Sequence, residues 1–212
     1  MHSRPAGKVH VWWLPLPTSK GSTDRFWDVL SCEERIRADR FVTNEARDRF
    51  VVTRGTLRML LAARLGGDPQ ALDLRFGSLG KPEVPNANVW FNVSHTPGLA
   101  VIAISRASPV GIDVERIDPS VDVVGVARLA FGKARGSELS HLRGPDRITN
   151  FFKAWVEEEA RVKMVGGSIA TTISGEAMTD LEVVALEPPR VGFAAALAGR
   201  GPLEVVVERD RS

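Results

Sequence analysis

Cysteine is nearly absent from this 212-residue sequence, in which Cys32 is the only thiol. A single cysteine excludes an intramolecular disulfide and a thiolate metal cluster. Long apolar runs are also missing, and the N-terminus does not have the architecture of a signal peptide, so we expect a cytoplasmic protein without a membrane partner. The formal net charge of +2 is too small to indicate a nucleic-acid-binding protein. These absences leave a soluble globular protein of ordinary composition.

Residues 110–115 (VGIDVE) alternate strictly between apolar and other side chains, which predicts a half-buried β-strand. The apolar side chains face the core, so Asp113 and Glu115 share the opposite face about 6.6 Å apart. Two carboxylates this close on a rigid surface repel each other unless a cation lies between them. Oxygen ligands at this spacing suit Mg²⁺. A solvated strand face that carries two acids is the alternative.

A second acid-bearing segment, residues 151–163, has helical periodicity. On a helical wheel centred on Trp155, Glu159 falls in the middle of the apolar face and Glu157 points away. An ionised carboxylate on an apolar face is costly without a charged partner or a metal. Lys163 lies one turn beyond Glu159, so a structural Glu159–Lys163 pair is one explanation. Acidic residues next to apolar ones occur in both segments of this small chain, and we therefore favour a metal ion that the two segments bind together.

The periodic segments together predict an α+β protein. Strands are expected over residues 9–16, 89–94, 99–105, 110–115, 181–186, 192–198 and 203–207, and helices over residues 32–41, 45–65, 121–130 and 148–165. Ser31 and Glu34 have the spacing of a capping box at the start of the first helix. Because residues 89–115 hold three consecutive strands, we expect them in one antiparallel sheet. Helices followed by strands occur twice, which indicates two similar halves, residues 1–108 and 109–212, in one compact two-lobed unit.

The long helix over residues 45–65 is expected to end at Gly66. Three arginines lie on its surfaces outside the apolar stripe: Arg47, Arg54 and Arg58. They indicate either a solvated helix face or a binding surface. His95 is expected in a tight loop after a strand, where it is either an ordinary exposed histidine or a ligand contact on a rigid sheet.

Four motifs carry a family resemblance: residues 80–82 (GKP), residues 91–95 (FNVSH), residues 111–115 (GIDVE), and Trp155, Glu159 and Lys163 at intervals of four. In order and spacing they resemble the 4′-phosphopantetheinyl transferases, in particular the long, single-chain type that activates surfactin synthetase. The resemblance covers roughly residues 33–167, with a family-like closing strand at residues 192–198. It implies two pseudo-symmetric halves, each an antiparallel sheet with packed helices.

The resemblance implies an enzyme that transfers the phosphopantetheine arm of coenzyme A to a serine of an apo acyl or peptidyl carrier protein, releasing 3′,5′-ADP. Such carriers belong to fatty acid, polyketide and nonribosomal peptide synthases. Asp113, Glu115 and Glu159 would hold Mg²⁺ against the pyrophosphate. Glu159 would also be the general base for the serine hydroxyl. Lys163 would stabilise or protonate the departing phosphate.

Coenzyme A binding is implied mainly for the first half of the chain. Lys81, Ser94 and His95 match positions that hold coenzyme A phosphates, the latter two near its 3′-phosphate. Arg54 and Arg47 would complete a basic pocket between the halves. The second half would hold the metal and the catalytic residues, and we expect the protein to act as a monomer.

Two positions depart from the family pattern in charge. Glu158 stands where the family usually has lysine, and Arg135 where it usually has an acid, so we expect an ion pair of inverted polarity between them. Two other functions stay open: a non-catalytic module that binds coenzyme A or a carrier protein, and an unrelated Mg²⁺-dependent phosphohydrolase. The two departures favour the non-catalytic binding module. A phosphohydrolase does not explain the motifs around Lys81 and His95.

Overall fold

The computed structural model describes residues 7–16, 23–77, 81–166 and 181–208. The strands in these ranges are β1 (Gly7–Pro15), β2 (Arg75–Phe76), β3 (Pro82–Glu83), β4 (Trp90–Thr96), β5 (Leu99–Ser105), β6 (Val110–Arg116), β7 (Leu181–Leu186), β8 (Phe193–Arg200) and β9 (Leu203–Glu208). The helices are α1 (Asp24–Trp27), α2 (Cys32–Asp39), α3 (Asn44–Leu65), α4 (Val123–Ala130), α5 (Gly132–His141) and α6 (Gly144–Val165). No helix in the described ranges is long and apolar enough to cross a membrane.

The strands form three sheets. The largest has the order β4-β5-β1-β9, the second has the order β6-β8-β7, and β2 pairs with β3 alone. Neighbouring strands are antiparallel except β1 and β9, which are parallel. The α+β class expected from the sequence is therefore confirmed. β9, the last strand among the described residues, completes the sheet that contains β1.

β6 lies outside the sheet that contains β4 and β5, so the predicted sheet of three consecutive strands is wrong in its last member. β5 is bordered by β4 on one side and β1 on the other, which leaves it no free edge for β6. β6 instead forms the edge of the second sheet beside β8, with Asp113 opposite Ala196. The connection after β5 thus carries the chain from one sheet to the other.

The elements stack in four layers. Helices α1–α3 cover the outer face of the largest sheet, and helices α4–α6 cover the outer face of the second sheet. The two sheets pack against each other through a core that includes Val11, Val101 and Ile112. Each of these two sheets packs one face on the shared core and the other face on its own helices. Both faces of each sheet are thereby shielded from water.

Local sequence signals set several element ends. The predicted capping box of α2 is present, with Ser31 and Glu34 each accepting a hydrogen bond from the other's backbone N–H. α3 ends at Gly66, whose φ of +79° favours glycine. α5 was not predicted, because its sequence GKARGSELSH lacks apolar residues at helical spacing.

β6 is buried on both faces rather than half-buried as predicted. Its apolar side chains point into the core between the sheets, and the opposite face lies against α6. Gly111 lies directly under that helix: a Cβ there would be 2.0 Å from the carbonyl oxygen of Ala160. Only glycine allows such a close approach of two backbones. The alternation was therefore predicted correctly, but the second face carries a helix instead of solvent, with Asp113 beneath it.

Candidate active site

Side chains of β4 join the edge of β6 to the largest sheet. Asn92 and Thr96 accept hydrogen bonds from the backbone N–H groups of Ile112 (2.9 Å) and Arg116 (3.3 Å). Ser94 lies between them and points the same way, because side chains two residues apart share a face of a strand. The motif FNVSH therefore fixes β6 in place and brings the Ser94 hydroxyl to the acidic face of that strand.

Asp113, Lys163 and Ser94 form one hydrogen-bonded cluster. Asp113 is only 1% exposed, and its Oδ1 accepts hydrogen bonds from Lys163 Nζ (2.6 Å) and Ser94 Oγ (2.7 Å). Lys163 Nζ also donates to Ser94 Oγ at 3.1 Å. The second carboxylate oxygen of Asp113, Oδ2, is buried and has no hydrogen-bond partner among the described residues. Lys163 thus pairs with Asp113 on β6 rather than with Glu159 one helical turn away.

Two further acids lie within electrostatic range of this cluster. Burial raises the pKa of Glu115 above its usual range, and the charges of Asp113 and Glu159 add to the effect. Burial also raises the pKa of Glu159, where the charge of Lys163 opposes the shift and that of Asp113 adds to it. Burial is thus the main reason that both glutamates hold their protons more strongly, and the charge of Asp113 adds to it in each case.

This acidic cluster fits a divalent cation by its chemistry. All candidate ligands are carboxylate oxygens, the type that hard divalent cations prefer. A cation would satisfy the unpaired Oδ2 of Asp113 and favour the charged forms of Glu115 and Glu159, whose pKa values burial and the charge of Asp113 raise. Among the described residues, however, no three acidic, histidine or cysteine side chains already stand in a metal-holding arrangement. The side chains would have to converge, and Lys163 would have to leave Asp113.

The side of α6 that faces the sheet differs from the prediction. Val156, Ala160 and Met164, which the Trp155-centred wheel placed to the side or rear, are at most 5% exposed. They pack with the second sheet in one core, because Gly111 lets the helix backbone approach β6 closely. Consequently α6 is buried around most of its circumference, and Glu157 is half-buried instead of solvent-facing.

A basic pocket of about 210 Å³ lies on the other face of β4. Its polar lining consists of Arg37, Arg54, His95 and the Thr53 hydroxyl, with Phe50 among the apolar residues. The guanidinium groups of both arginines lie within 6 Å of the Phe50 ring centroid. The Thr53 oxygen is buried and has no hydrogen-bond partner among the described residues. Two cations, an imidazole and an unused hydroxyl make this pocket suitable for a phosphate-bearing aromatic ligand.

His95 lies within β4, not in a loop after it as predicted, because the strand continues to Thr96. It follows Ser94 directly, so the two side chains point to opposite faces of the strand: Ser94 to the acids and His95 to the basic pocket. His95 is exposed at the surface, yet the neighbouring side chains remove part of its ring from water; this lowers its pKa, and the nearby charges of Arg49 and Lys163 add to the effect. The single strand β4 therefore links the acidic cluster to the basic pocket.

The three arginines predicted on the surface of α3 have different surroundings. Arg54 lines the basic pocket and pairs with Glu34 at 3.5 Å. Arg47 lies over Trp27, 4.6 Å from the ring centroid, and outside the residues that line this pocket. Arg58 is 2% exposed, so its predicted place on the helix surface is wrong: it pairs with Glu34 and donates to three loop carbonyls. Those carbonyls need an internal donor, which explains the buried guanidinium.

Arg37 and Thr53 line the basic pocket but were not singled out from the sequence. Arg37 belongs to an arginine-rich helix, and nothing in its spacing separates it from its neighbours. Thr53 lies in the middle of α3 among apolar residues, where a threonine is an unremarkable core residue. Only the tertiary fold brings these side chains of α2 and α3 to one pocket beside β4.

Lys81 contacts backbone carbonyls. Its Nζ donates to the carbonyl oxygens of Val110 (2.8 Å), Lys163 (3.0 Å) and Met164 (3.4 Å). Burial lowers the pKa of Lys81 to about 8. Lys81 also lines a cleft of about 330 Å³ next to Trp90.

Glu158 forms an ion pair with Arg161 on the same helix, at 3.0 Å. The side chain of its predicted partner, Arg135, lies outside the described residues, so the predicted pair stays a prediction. The Arg161 pair does establish that Glu158 has a counter-ion of its own beside the acidic cluster.

Individual known proteins resemble this chain, although no family model matches it. It is 32% identical over 167 residues to the 4′-phosphopantetheinyl transferase HetI of Nostoc, which covers 77% of this chain and 70% of that protein. It is 26% identical to the 4′-phosphopantetheinyl transferase Sfp of Bacillus subtilis, over 77% of this chain and 72% of Sfp. A putative 4′-phosphopantetheinyl transferase of Synechocystis, slr0495, is 31% identical over 74% of this chain and 65% of its own length. The chain therefore belongs to the 4′-phosphopantetheinyl transferase family of enzymes.

Proposed function

We propose that this enzyme transfers the 4′-phosphopantetheine arm of coenzyme A to a serine hydroxyl of an apo acyl or peptidyl carrier protein and releases 3′,5′-ADP. The observation that carries the proposal is the placement of β4, which borders the acidic cluster around the buried Asp113 on one face and a basic pocket on the other. A nucleotide phosphate and the pyrophosphate under attack need these two environments side by side. The relatives, whose names state transfer of a 4′-phosphopantetheinyl group, support the same conclusion.

Asp113, Glu115 and Glu159 would hold Mg²⁺. Support comes from the oxygen-only donor set, the unpaired Oδ2 of Asp113 and the raised pKa values of the two glutamates. When bound, the ion neutralises charge on the phosphoryl group under attack and on the leaving pyrophosphate oxygen. Lys163, released from Asp113, would be free to stabilise the same developing charge.

The proton of the carrier serine would pass to Glu159. The serine oxygen attacks the phosphorus next to the pantetheine, a new P–O bond forms, and the P–O bond to 3′,5′-ADP breaks. Glu159 lies within electrostatic range of Asp113 and Lys163, so its carboxylate would be at hand to accept the proton. Lys163 lies one turn along α6 and carries the positive charge that the departing phosphate needs.

The basic pocket would bind the adenosine 3′-phosphate. Arg37, Arg54 and His95 supply donors to a phosphate, and the Phe50 ring supplies an apolar surface. Ser94 faces the acids, so its hydroxyl would contact the phosphates nearer the metal. Arg47 would add positive charge at the rim of the pocket without lining it.

The four layers support a two-lobed enzyme. We propose that residues 1–108 and 109–212 are pseudo-symmetric halves, with β9 crossing back to complete the first sheet. The site then lies where the halves meet, since Ser94 comes from one and Asp113 from the other. We further propose that the enzyme acts as a cytoplasmic monomer on carrier domains, with neither nucleic acid nor membrane as a partner.

Chromatographic detection of 3′,5′-ADP tests this function against its alternatives. The purified chain is incubated with coenzyme A and Mg²⁺, with and without an apo carrier protein. A transferase releases 3′,5′-ADP only when the carrier is present. A phosphohydrolase releases it without the carrier, and a non-catalytic binding module releases none in either case. A chelator should abolish the carrier-dependent release if Mg²⁺ is required.

A further inference from the structure

We propose that Lys81 is a positioning residue, which holds the last turn of α6 against the start of β6, and not a ligand of the coenzyme A phosphates. The three carbonyl contacts of its ammonium carry the proposal. Only the expected effect on the rate of carrier modification rests on the proposed function; the expected effect on stability does not.

The donor count is the first step. A lysine ammonium has three N–H donors and no acceptor. Three carbonyl oxygens stand within hydrogen-bond range of Lys81 Nζ, so each N–H has a backbone partner. To contact a phosphate, the ammonium would have to give up one of these carbonyl partners.

The identity of the carbonyls is the second step. The last four carbonyl groups of an α-helix have no partner within the helix. α6 ends at Val165, so the carbonyls of Lys163 and Met164 belong to that set. The third carbonyl, that of Val110, belongs to the first residue of β6. A cation at the end of α6 also interacts favourably with the helix dipole.

The place of Lys81 in the chain is the third step. It comes immediately before Pro82, the first residue of β3, and a residue before proline is restricted to extended backbone conformations. The lysine therefore reaches across from the first half of the chain with its backbone already restricted. One ammonium group ties this segment to both elements of the acidic cluster.

The consequence concerns geometry at the acids. β6 carries Asp113 and α6 carries Lys163, whose side chains lie 2.6 Å apart. Lys81 holds the backbone of Lys163 on the helix and that of Val110 on the strand. Its loss should let α6 shift on β6 and misplace Glu159 and Lys163, while the basic pocket around His95 is left intact.

The test compares Lys81→Met with Lys81→Gln. Methionine keeps the length but has no donor, whereas glutamine is uncharged and retains two N–H donors. The measurements are the unfolding temperature of the free protein, the dissociation constant for coenzyme A, and kcat for carrier modification. His95→Ala serves as the control for a residue that contacts the nucleotide.

A positioning role predicts that Lys81→Met lowers the unfolding temperature by about 4 °C or more and kcat by roughly tenfold to a hundredfold. The coenzyme A dissociation constant should stay within about twofold, since no phosphate contact is lost. Lys81→Gln should recover part of both losses through its donors. If Lys81→Met does not fold, the glutamine variant with wild-type coenzyme A affinity supports the same role.

The proposal is overturned if both variants keep the wild-type unfolding temperature and weaken coenzyme A binding about tenfold or more, as loss of a charged phosphate contact does. Equal effects of the two variants on kcat would also contradict it, because charge rather than donor count would then matter. The unfolding and binding measurements remain informative if the enzyme transfers no phosphopantetheine, so failure of the proposed function is distinguishable.

Discussion

Gly111→Ala should separate the two elements that carry the acidic cluster. An alanine Cβ at this position would be 2.0 Å from the carbonyl oxygen of Ala160 and 2.3 Å from the backbone nitrogen of Met164. Both atoms are helix backbone, so no side-chain rotation relieves the clash. The helix would have to move away from β6 by about 1 Å, and overpacking of this kind costs about 1–3 kcal/mol.

For a chain of this size, that cost corresponds to a fall in the unfolding temperature of about 2–12 °C. The same movement would lengthen the 2.6 Å contact between Lys163 and Asp113, and a displacement of about 1 Å at a reacting centre can lower the rate roughly a hundredfold. Calorimetric unfolding and carrier modification, measured on one preparation, check both effects.

Gly7→Ala is the matched control. Gly7 also lies in a strand, but a Cβ there would be 3.5 Å from the Ala107 Cβ, an ordinary contact. This variant should unfold within about 1 °C of the parent protein. If Gly111→Ala behaves like Gly7→Ala in both assays, then α6 does not pack on β6 as described.

Three further substitutions test the site. Glu159→Gln should lower kcat about a hundredfold or more because the general base is lost, whereas Glu157→Gln should retain most activity; the reverse result would mean that the wrong face of α6 meets the acids. His95→Ala should raise KM for coenzyme A more than for 3′-dephospho-coenzyme A, and an equal rise would place His95 away from the 3′-phosphate. Thr53→Val removes a buried hydroxyl that has no partner in the described part of the chain, so the unfolding temperature should stay or rise; a fall of more than about 2 °C would show that the hydroxyl is bonded in the free protein.

Signals that depend on near neighbours in sequence were predicted correctly. The capping box of Ser31 and Glu34 requires only residues three apart, and the end of α3 requires only Gly66. The shared face of Asp113 and Glu115 follows from the two-residue period of any strand. These local features do not depend on how the remainder of the chain folds.

Features that depend on which surfaces meet were missed or wrong. The sequence of β6 does not reveal that both edges of β5 are already occupied, so its place in the second sheet was not foreseen. The close approach at Gly111 turns the row of Val156 and Ala160 toward the sheet, which the periodicity of α6 alone does not indicate. Two of the carbonyl partners of Lys81, those of Lys163 and Met164, are separated from it by 82 and 83 positions in the sequence. No local pattern identifies such contacts.

The central claim is that this chain modifies a serine of a carrier protein, and intact-mass spectrometry of the carrier tests it most directly. An apo carrier protein is incubated with coenzyme A, Mg²⁺ and either the parent enzyme or Glu159→Gln, and the modified peptide is then sequenced. The parent enzyme should add one phosphopantetheine to a single serine, and Glu159→Gln should add almost none in the same time. The account would be contradicted if none of the apo carrier proteins supplied gained mass while the enzyme still bound or hydrolysed coenzyme A.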